Sequence, residues 1–477
     1  MHPCFPDWDE GKRSIISSCP TYRKGAFTMI KQYITDATRK CVQHTLADFG
    51  NINSLFLPTV KVNLKQERQS ILGFGAAMTD ASCYNLGRMP EQERQALIRE
   101  LFGPEGLNLS VARLPLGSSD YACKCYCCDD TPEDLELKDF NIDYDRKNIL
   151  PVLHQINEVR PDVFYFSSPW SPPAWMKTQN SMYGGWMREK YLEVFAEYYA
   201  RFIEAYREEG IHIQALTPQN EPETDQCGAS VASYLHPEFE QKLVRDFLIP
   251  KLRARGLDTR AWLLDHNFNM WNRAKWQLDD PATKAAVDGV AFHYYQGTAA
   301  MASYLHEAHP EVGIHWTEGG PDLYKTYGTN WCYWGRVFSE AAENWISSIT
   351  AWNLALDEYG NPNIGPFRCA GLVTVKTDTC EVTRSGQYYA LSHFSHFVQR
   401  GARYVASSCS GVPYAYTGSD PKLFHAAFRN PDGSLVVTLT NPDKCVDITL
   451  AVGGKNYRVA MPDDSMVTMV FEKEDLE

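Results

Sequence analysis

The 477-residue sequence has no unbroken apolar stretch of about 18 or more residues, which excludes a conventional transmembrane helix. Excess positive charge is also missing. The net charge is −13, so no broad basic face for nucleic-acid phosphates is expected. A phosphate-cradling G-x-x-x-x-G-K-[ST], a zinc-protease H-E-x-x-H and a nucleophile-elbow G-x-S-x-G are all absent. Gly73-Phe-Gly75 starts like a dinucleotide fingerprint, but Met78 stands where the third glycine is required. No internal repeat occurs. The opening MHPCFPDWDEGKRSIISSCP carries charges and prolines where a signal peptide needs an apolar run. If Met1 is the natural start, a cytoplasmic protein with reduced thiols among its 14 cysteines is expected; a replaced leader would make it secreted.

What is present is the composition of a folded protein, 44% hydrophobic, 22% charged and 13% aromatic residues, in a chain long enough for a barrel plus a smaller domain. Eight short apolar runs alternate with longer segments of helical period: 71–76, 107–114, 163–168, 211–217, 260–265, 289–295, 313–318 and 347–354. Near-continuous apolar character suits strands buried on both faces of a parallel sheet. Tyr191, Val194, Phe195, Tyr198, Phe202 and Ile203 share one helical face, which Gly210 ends. A second helix is predicted from Pro237 to Arg255, ending at Gly256. Eight strands alternating with helices predict an α/β fold, a (β/α)₈ TIM barrel.

Beyond about residue 390 the pattern becomes short strands and turns, with Pro431-Asp432-Gly433 marking a hairpin, so an attached all-β sandwich is expected. SLFLPTVKVNLK (54–65) is β-like and is expected to join it. The resulting division is 1–70 as an N-terminal segment contributing sandwich strands, 71–390 as the barrel and 391–477 as the sandwich.

Active sites of such barrels lie at the C-terminal ends of the strands. Those ends carry Asp80, Arg113, Trp170, Asn220-Glu221, His293-Tyr294-Tyr295, Glu318 and Trp352-Asn353. Taken singly, either glutamate reads best as a capping neighbour or half of an ion pair. Two at separate strand ends, beside aromatic and glycine-rich loops, match the two carboxyl groups that glycoside hydrolysis needs. A lone His293 reads as a structural or positioning residue, since one histidine makes no metal site. Arg113 is expected to pair with Asp80 or with a catalytic carboxylate.

The segments FGAAMTDAS (74–82), RLPLGSSDY (113–121), SSPWSPPAWMKT (167–178), ALTPQNEP (215–222), HWTEGG (315–320) and WNLALD (352–357) resemble glycoside hydrolase family 30, in its glucosylceramidase-like branch. The resemblance implies a retaining β-glycosidase, with Glu221 as acid/base, Glu318 as nucleophile and Asn220 on the sugar 2-hydroxyl. Arg113, Asp120, Trp170, Tyr295 and Trp352 would form the walls and hydroxyl ligands of the −1 subsite. It implies a carbohydrate substrate and no cofactor; from the residues themselves no metal, no nucleic acid and no membrane insertion are expected, and the oligomeric state stays open.

An exo-acting β-glucosidase or glucosylceramidase-like enzyme is the leading expectation. β-Xylosidase, β-fucosidase and endo-β-1,6-glucanase are alternatives on one scaffold. Glu221 is expected to have a raised pKa and Glu318 to be kept ionised by Arg113. The loop DYACKCYCCDD places Cys123, Cys125, Cys127 and Cys128 beside the expected pocket, where reduced thiols lining a wall are the favoured reading over a disulfide or zinc. The sequon Asn108-Leu-Ser110 is expected in a buried strand, without modification. Two rivals of other classes are a carbohydrate-binding protein on an inactive scaffold and a thiol- or metal-dependent protein built on the cysteine loop.

Overall fold

The computed structural model describes residues 29–47, 57–323, 326–410 and 423–476. The start of the chain, with its leader question, and residues 54–56 of the expected β segment lie outside these. Eight parallel strands close into a barrel: β1 (Gly73–Ala77), β2 (Val111–Pro115), β3 (Phe164–Ser168), β4 (Ile213–Leu216), β5 (Arg260–Asn267), β6 (Gly289–His293), β7 (Gly313–Glu318) and β8 (Ile346–Asn353). Each falls on one of the eight apolar runs. No helix of the described residues is long and apolar enough to cross a membrane.

Alternate residues along the strands explain how the barrel both packs and reacts. Val111, Phe166, Ala215 and Ala291 join Phe164 and Trp262 in one apolar cluster. Two positions further on, the same strands carry Arg113, Ser168, Thr217 and His293, which hydrogen-bond to one another or to Asp265. A period-2 pattern thus stacks a polar layer on an apolar plug.

The predicted helix at 191 runs Leu192–Glu208. The next starts at Pro237 and passes through a π-helical segment, Leu243–Leu248, into Ile249–Ala254. Pro250 has no N–H and its ring crowds the preceding turn, so wider winding there relieves the clash. Asn108 lies ahead of β2, not within it. Its φ is +58°, and its side chain bonds Arg160 and the Ser395 carbonyl, 3.3 Å away.

The β module is a nine-stranded sheet ordered Lys455–Met461, Val446–Val452, Thr59–Ser70, Arg403–Ser410, Phe424–Arg429, Leu435–Asn441, Ser465–Phe471, Met29–Thr35, Val42–Ala47. Thr59–Ser70 pairs with Arg403–Ser410 and Val446–Val452, as expected of the β segment before the barrel. Gly433, at φ +91°, turns the expected hairpin. A small three-stranded sheet, Ala355–Leu356, Val373–Val375 and Val382–Arg384, had no counterpart in the sequence reading.

Candidate active site

A cavity of about 770 Å³ opens at the C-terminal ends of the barrel strands, lined by Asp120, Trp170, Asn220, Glu221, Tyr295, Glu318 and Trp352 among others. Arg113 completes the predicted set from beneath, fully buried. All eight predicted residues therefore converge.

Glu318 ends β7. Arg113 ion-pairs with its Oε2, and the Tyr295 hydroxyl donates to its Oε1 at 2.9 Å. The second terminal nitrogen of Arg113 donates to Asn220 Oδ1 and Asp265 Oδ2, each at 2.7 Å. With its carbonyl oxygen engaged, Asn220 has its amide nitrogen free for a ligand hydroxyl. Trp170 and Trp352 stack at 5.1 Å, and the Arg113 guanidinium lies 4.5 Å from the Trp170 ring.

Glu221 follows β4 in the left-handed region, φ +48°, a backbone state that costs a non-glycine residue about 1–3 kcal/mol. Its N–H donates to the Asp265 carbonyl at 3.0 Å, and Gln226 Nε2 donates to Oε2 at 2.8 Å. His293 Nδ1 lies 3.0 Å from Glu221 Oε1, while Nε2 is 3.0 Å from Asp265 and 3.9 Å from Glu318. One imidazole thus reaches both glutamates. Burial disfavours its charge, but Glu318, Asp265 and Glu221 outweigh that and push His293 up to about 9.

The protonation order differs from the expectation. Burial and the negative Glu221 push Glu318 up against the pull of His293 and Arg113. Glu221 is held below the usual carboxylate range, because the His293 hydrogen bond, with His266 and Arg113, outweighs its burial. A charged His293 bridging the pair is the reason. Asp120 is pushed up to about 8, by burial first and then by Glu318 and Glu221; its buried Oδ1 has no protein partner.

Three strand-end residues were missed or misplaced. Asp265 and His266 end β5, where a bulge shifts register between Leu264 and His266 and both Leu264 and Asp265 have positive φ. The bulge lets consecutive residues serve the same end of the barrel: Asp265 enters the polar layer and His266 lines the cavity. RAWLLD had been read as a strand ending at Asp265, so the strand-end rule applied there would have found it. Asp80, by contrast, faces away and accepts from Cys123 N–H at 2.8 Å and the Tyr144 hydroxyl at 2.9 Å. Arg113 pairs with Glu318 and Asp265 instead.

None of the four loop cysteines lines the cavity. Cys125 and Cys127 pack against the cluster of Tyr121, Trp170 and Trp352, and Cys127 Sγ donates to Asp130 at 2.9 Å. The thiol that does line the cavity is Cys369. The rest of the lining mixes Glu223, Thr224, Gln226, Gln296 and Arg368 with Val231, Met270 and Phe367.

Models of known families match most of the chain. The glycosyl hydrolase family 30 TIM-barrel domain matches residues 71–398, and the family 30 beta sandwich domain matches 401–469. A putative glucosylceramidase 2 of Caenorhabditis elegans is 28% identical over 431 residues, 85% of this chain and 81% of the relative. An endo-1,6-beta-D-glucanase of Neurospora crassa is 30% identical over 407 residues, 82% of each. A solved structure described as an endo-beta1,6-glucanase superposes with a TM-score of 0.84 at 27% identity, covering 93% of this chain and all (100%) of that one.

Proposed function

This chain belongs to glycoside hydrolase family 30 and is a glycoside hydrolase, and from that premise we propose that it cleaves β-glycosides with retention, Glu318 as nucleophile and Glu221 as acid/base. The observation that carries the reading is the pair of carboxylates in one cavity, spanned by the His293 imidazole.

In the first step Glu221 gives its proton to the glycosidic oxygen. Glu318 attacks the anomeric carbon, the aglycone departs as an alcohol, and a glycosyl ester forms. In the second, Glu221 takes a proton from water, whose oxygen attacks the same carbon and releases Glu318. Arg113 and Tyr295 aim Glu318, and its lost charge leaves Arg113 balanced by Asp265. The reactive state requires the pair's proton on Glu221; the glycosidic oxygen, arriving as its acceptor, favours that state. Asn220, Asp120 and the Trp170–Trp352 face hold the sugar.

A β-glucoside is the first substrate to try, with an exo-acting, glucosylceramidase-like mode. Endo-action on β-1,6-glucan is the second reading, favoured by the polar groups Glu223, Thr224 and Gln296 in the cavity lining, which suit a hydroxyl-rich aglycone better than alkyl chains.

Aryl β-glucoside, xyloside, fucoside and galactoside, then β-1,6-glucan and glucosylceramide, should be given to wild type and Glu318→Gln. One sugar should be hydrolysed by wild type alone, with the β-anomer appearing first by NMR. A normal rate in Glu318→Gln, or first release of the α-anomer, would refute the assignment.

A further inference from the structure

We infer that Glu221, His266 and His293 form a binding site for a first-row divalent cation of the Zn²⁺ type, and that its occupation blocks hydrolysis. The inhibitory half of this inference rests on Glu221 being the acid/base; the binding half does not.

One donor atom from each residue lies within 4.8 Å of the others. His293 Nδ1 stands 3.0 Å and His266 Nδ1 3.6 Å from Glu221 Oε1. Tetrahedral bonds of about 2.0–2.1 Å put neighbouring donors roughly 3.3–3.5 Å apart, so small side-chain shifts suffice. Two imidazoles and a carboxylate are a set that zinc and its neighbours accept.

Two further observations point to a ligand. His266 is only 5% exposed, and its Nδ1 has no hydrogen-bond partner although it is buried beside Glu221. Asp265 Oδ1, 3.0 Å from His293 Nε2, is the carboxylate that fixes a ligating histidine: it holds the Nε2 proton and turns Nδ1, protonated in the metal-free site, toward Glu221. The residues stand at the ends of three adjacent strands, β4, β5 and β6, which keeps the donors together. Glu221 and His266 line the cavity, so the fourth position faces it.

Electrostatics add to the case. Glu221, Glu318 and Asp265 face one guanidinium, Arg113, so once His293 has given up its proton a dication takes the place of the charge that imidazole carried. On binding, His293 releases its Nδ1 proton to solvent and the cation takes the lone pair. With Glu221 Oε1 on the metal, no proton is available there for the leaving oxygen. The cation is thus an inhibitor of the hydrolase and takes no part in its turnover.

The test is titration of the full chain with Zn²⁺ by calorimetry and with Co²⁺ by visible absorption, for wild type, His266→Ala and the more conservative His266→Asn. One cation per chain is expected, with tetrahedral Co²⁺ bands and no thiolate charge-transfer band. Affinity should fall about tenfold or more in either variant. Hydrolysis of the aryl glycoside stopped by Zn²⁺ should return on adding EDTA. Unchanged affinity in a folded His266 variant, absent tetrahedral bands, or a thiolate band assigning the metal to the cysteines would overturn the inference. Binding is read without turnover, so its failure stays distinct from failure of the glycosidase assignment, which Glu318→Gln tests.

Discussion

Asp265 lies beneath the cavity, yet it accepts from Arg113, His293, Thr217 and Thr317 at once. Burial would push its carboxyl up, but Arg113, His293 and Thr317 hold it well below the ordinary range. It is a positioning residue: it fixes the guanidinium that aims Glu318 and the imidazole that touches Glu221. In Asp265→Asn the loss should therefore fall on kcat, by about 100-fold, the effect of a small misplacement of reacting groups. KM should change little, because the cavity lining is intact. A loss carried by KM alone would instead make Asp265 part of the sugar-binding surface.

At the level of elements, the helix Leu192–Glu208 is tied to its neighbour Ile249–Ala254 by charge at the surface. Glu197 bonds Arg255 at 2.6 Å, Lys251 at 3.0 Å and, within its own helix, Arg201 at 3.1 Å. Its burial raises its pKa, but hydrogen bonds from Lys251, Arg201 and Arg255 prevail and hold it at about 2. A carboxyl depressed in the folded state stabilises above its unfolded pKa, and that contribution is lost as pH falls toward the folded value. Glu197→Gln should thus lower stability at pH 7 by about 0.5–1 kcal/mol, discounted for solvent screening. Denaturant titrations should show the gap closing between pH 4.5 and about 2. A gap that persists at pH 2 would mean that packing, not charge, is responsible.

Among the described residues the largest apolar cluster runs across both parts of the molecule, and the β module keeps a second core of its own. Trp331, Trp334 and Phe338 on the helix Trp331–Glu343 and Phe394 on Gly386–Ser395 cluster with Phe428, Val436 and Met466 of the β module. Gly335 permits that closeness, since a Cβ there would meet Met466 Cε at 2.6 Å and Thr440 Oγ1 at 2.7 Å. His393, buried and pushed down to about 3, spans Thr468 and Thr35 at 2.9 and 2.7 Å. Shared burial couples the parts, so calorimetry should give a single unfolding transition, and Gly335→Leu should lower its midpoint by overpacking worth about 1–3 kcal/mol. Two separate transitions in wild type would show that the parts unfold independently.

The eight barrel strands, the helix from 192 and the hairpin at Gly433 were legible because apolar periodicity and turn chemistry are local properties of the chain. The placing of Glu221 and Glu318 at the rim was legible for a related reason: a parallel barrel exposes the C-terminal ends of its strands, so strand boundaries nominate the residues found there. The tertiary structure decided what depends on neighbours distant in sequence. A bulge after Leu264 determined that Asp265 and His266 both serve the site, although simple alternation would separate them. Packing behind Trp170 drew the cysteine loop away from the cavity and brought Cys369 to it. The charge on His293, and with it the proton order of the two glutamates, arises where carboxylates from separate strands surround one buried ring. Electrostatic energy depends on distances in space, and residues 221, 265, 293 and 318 become neighbours only when the barrel closes.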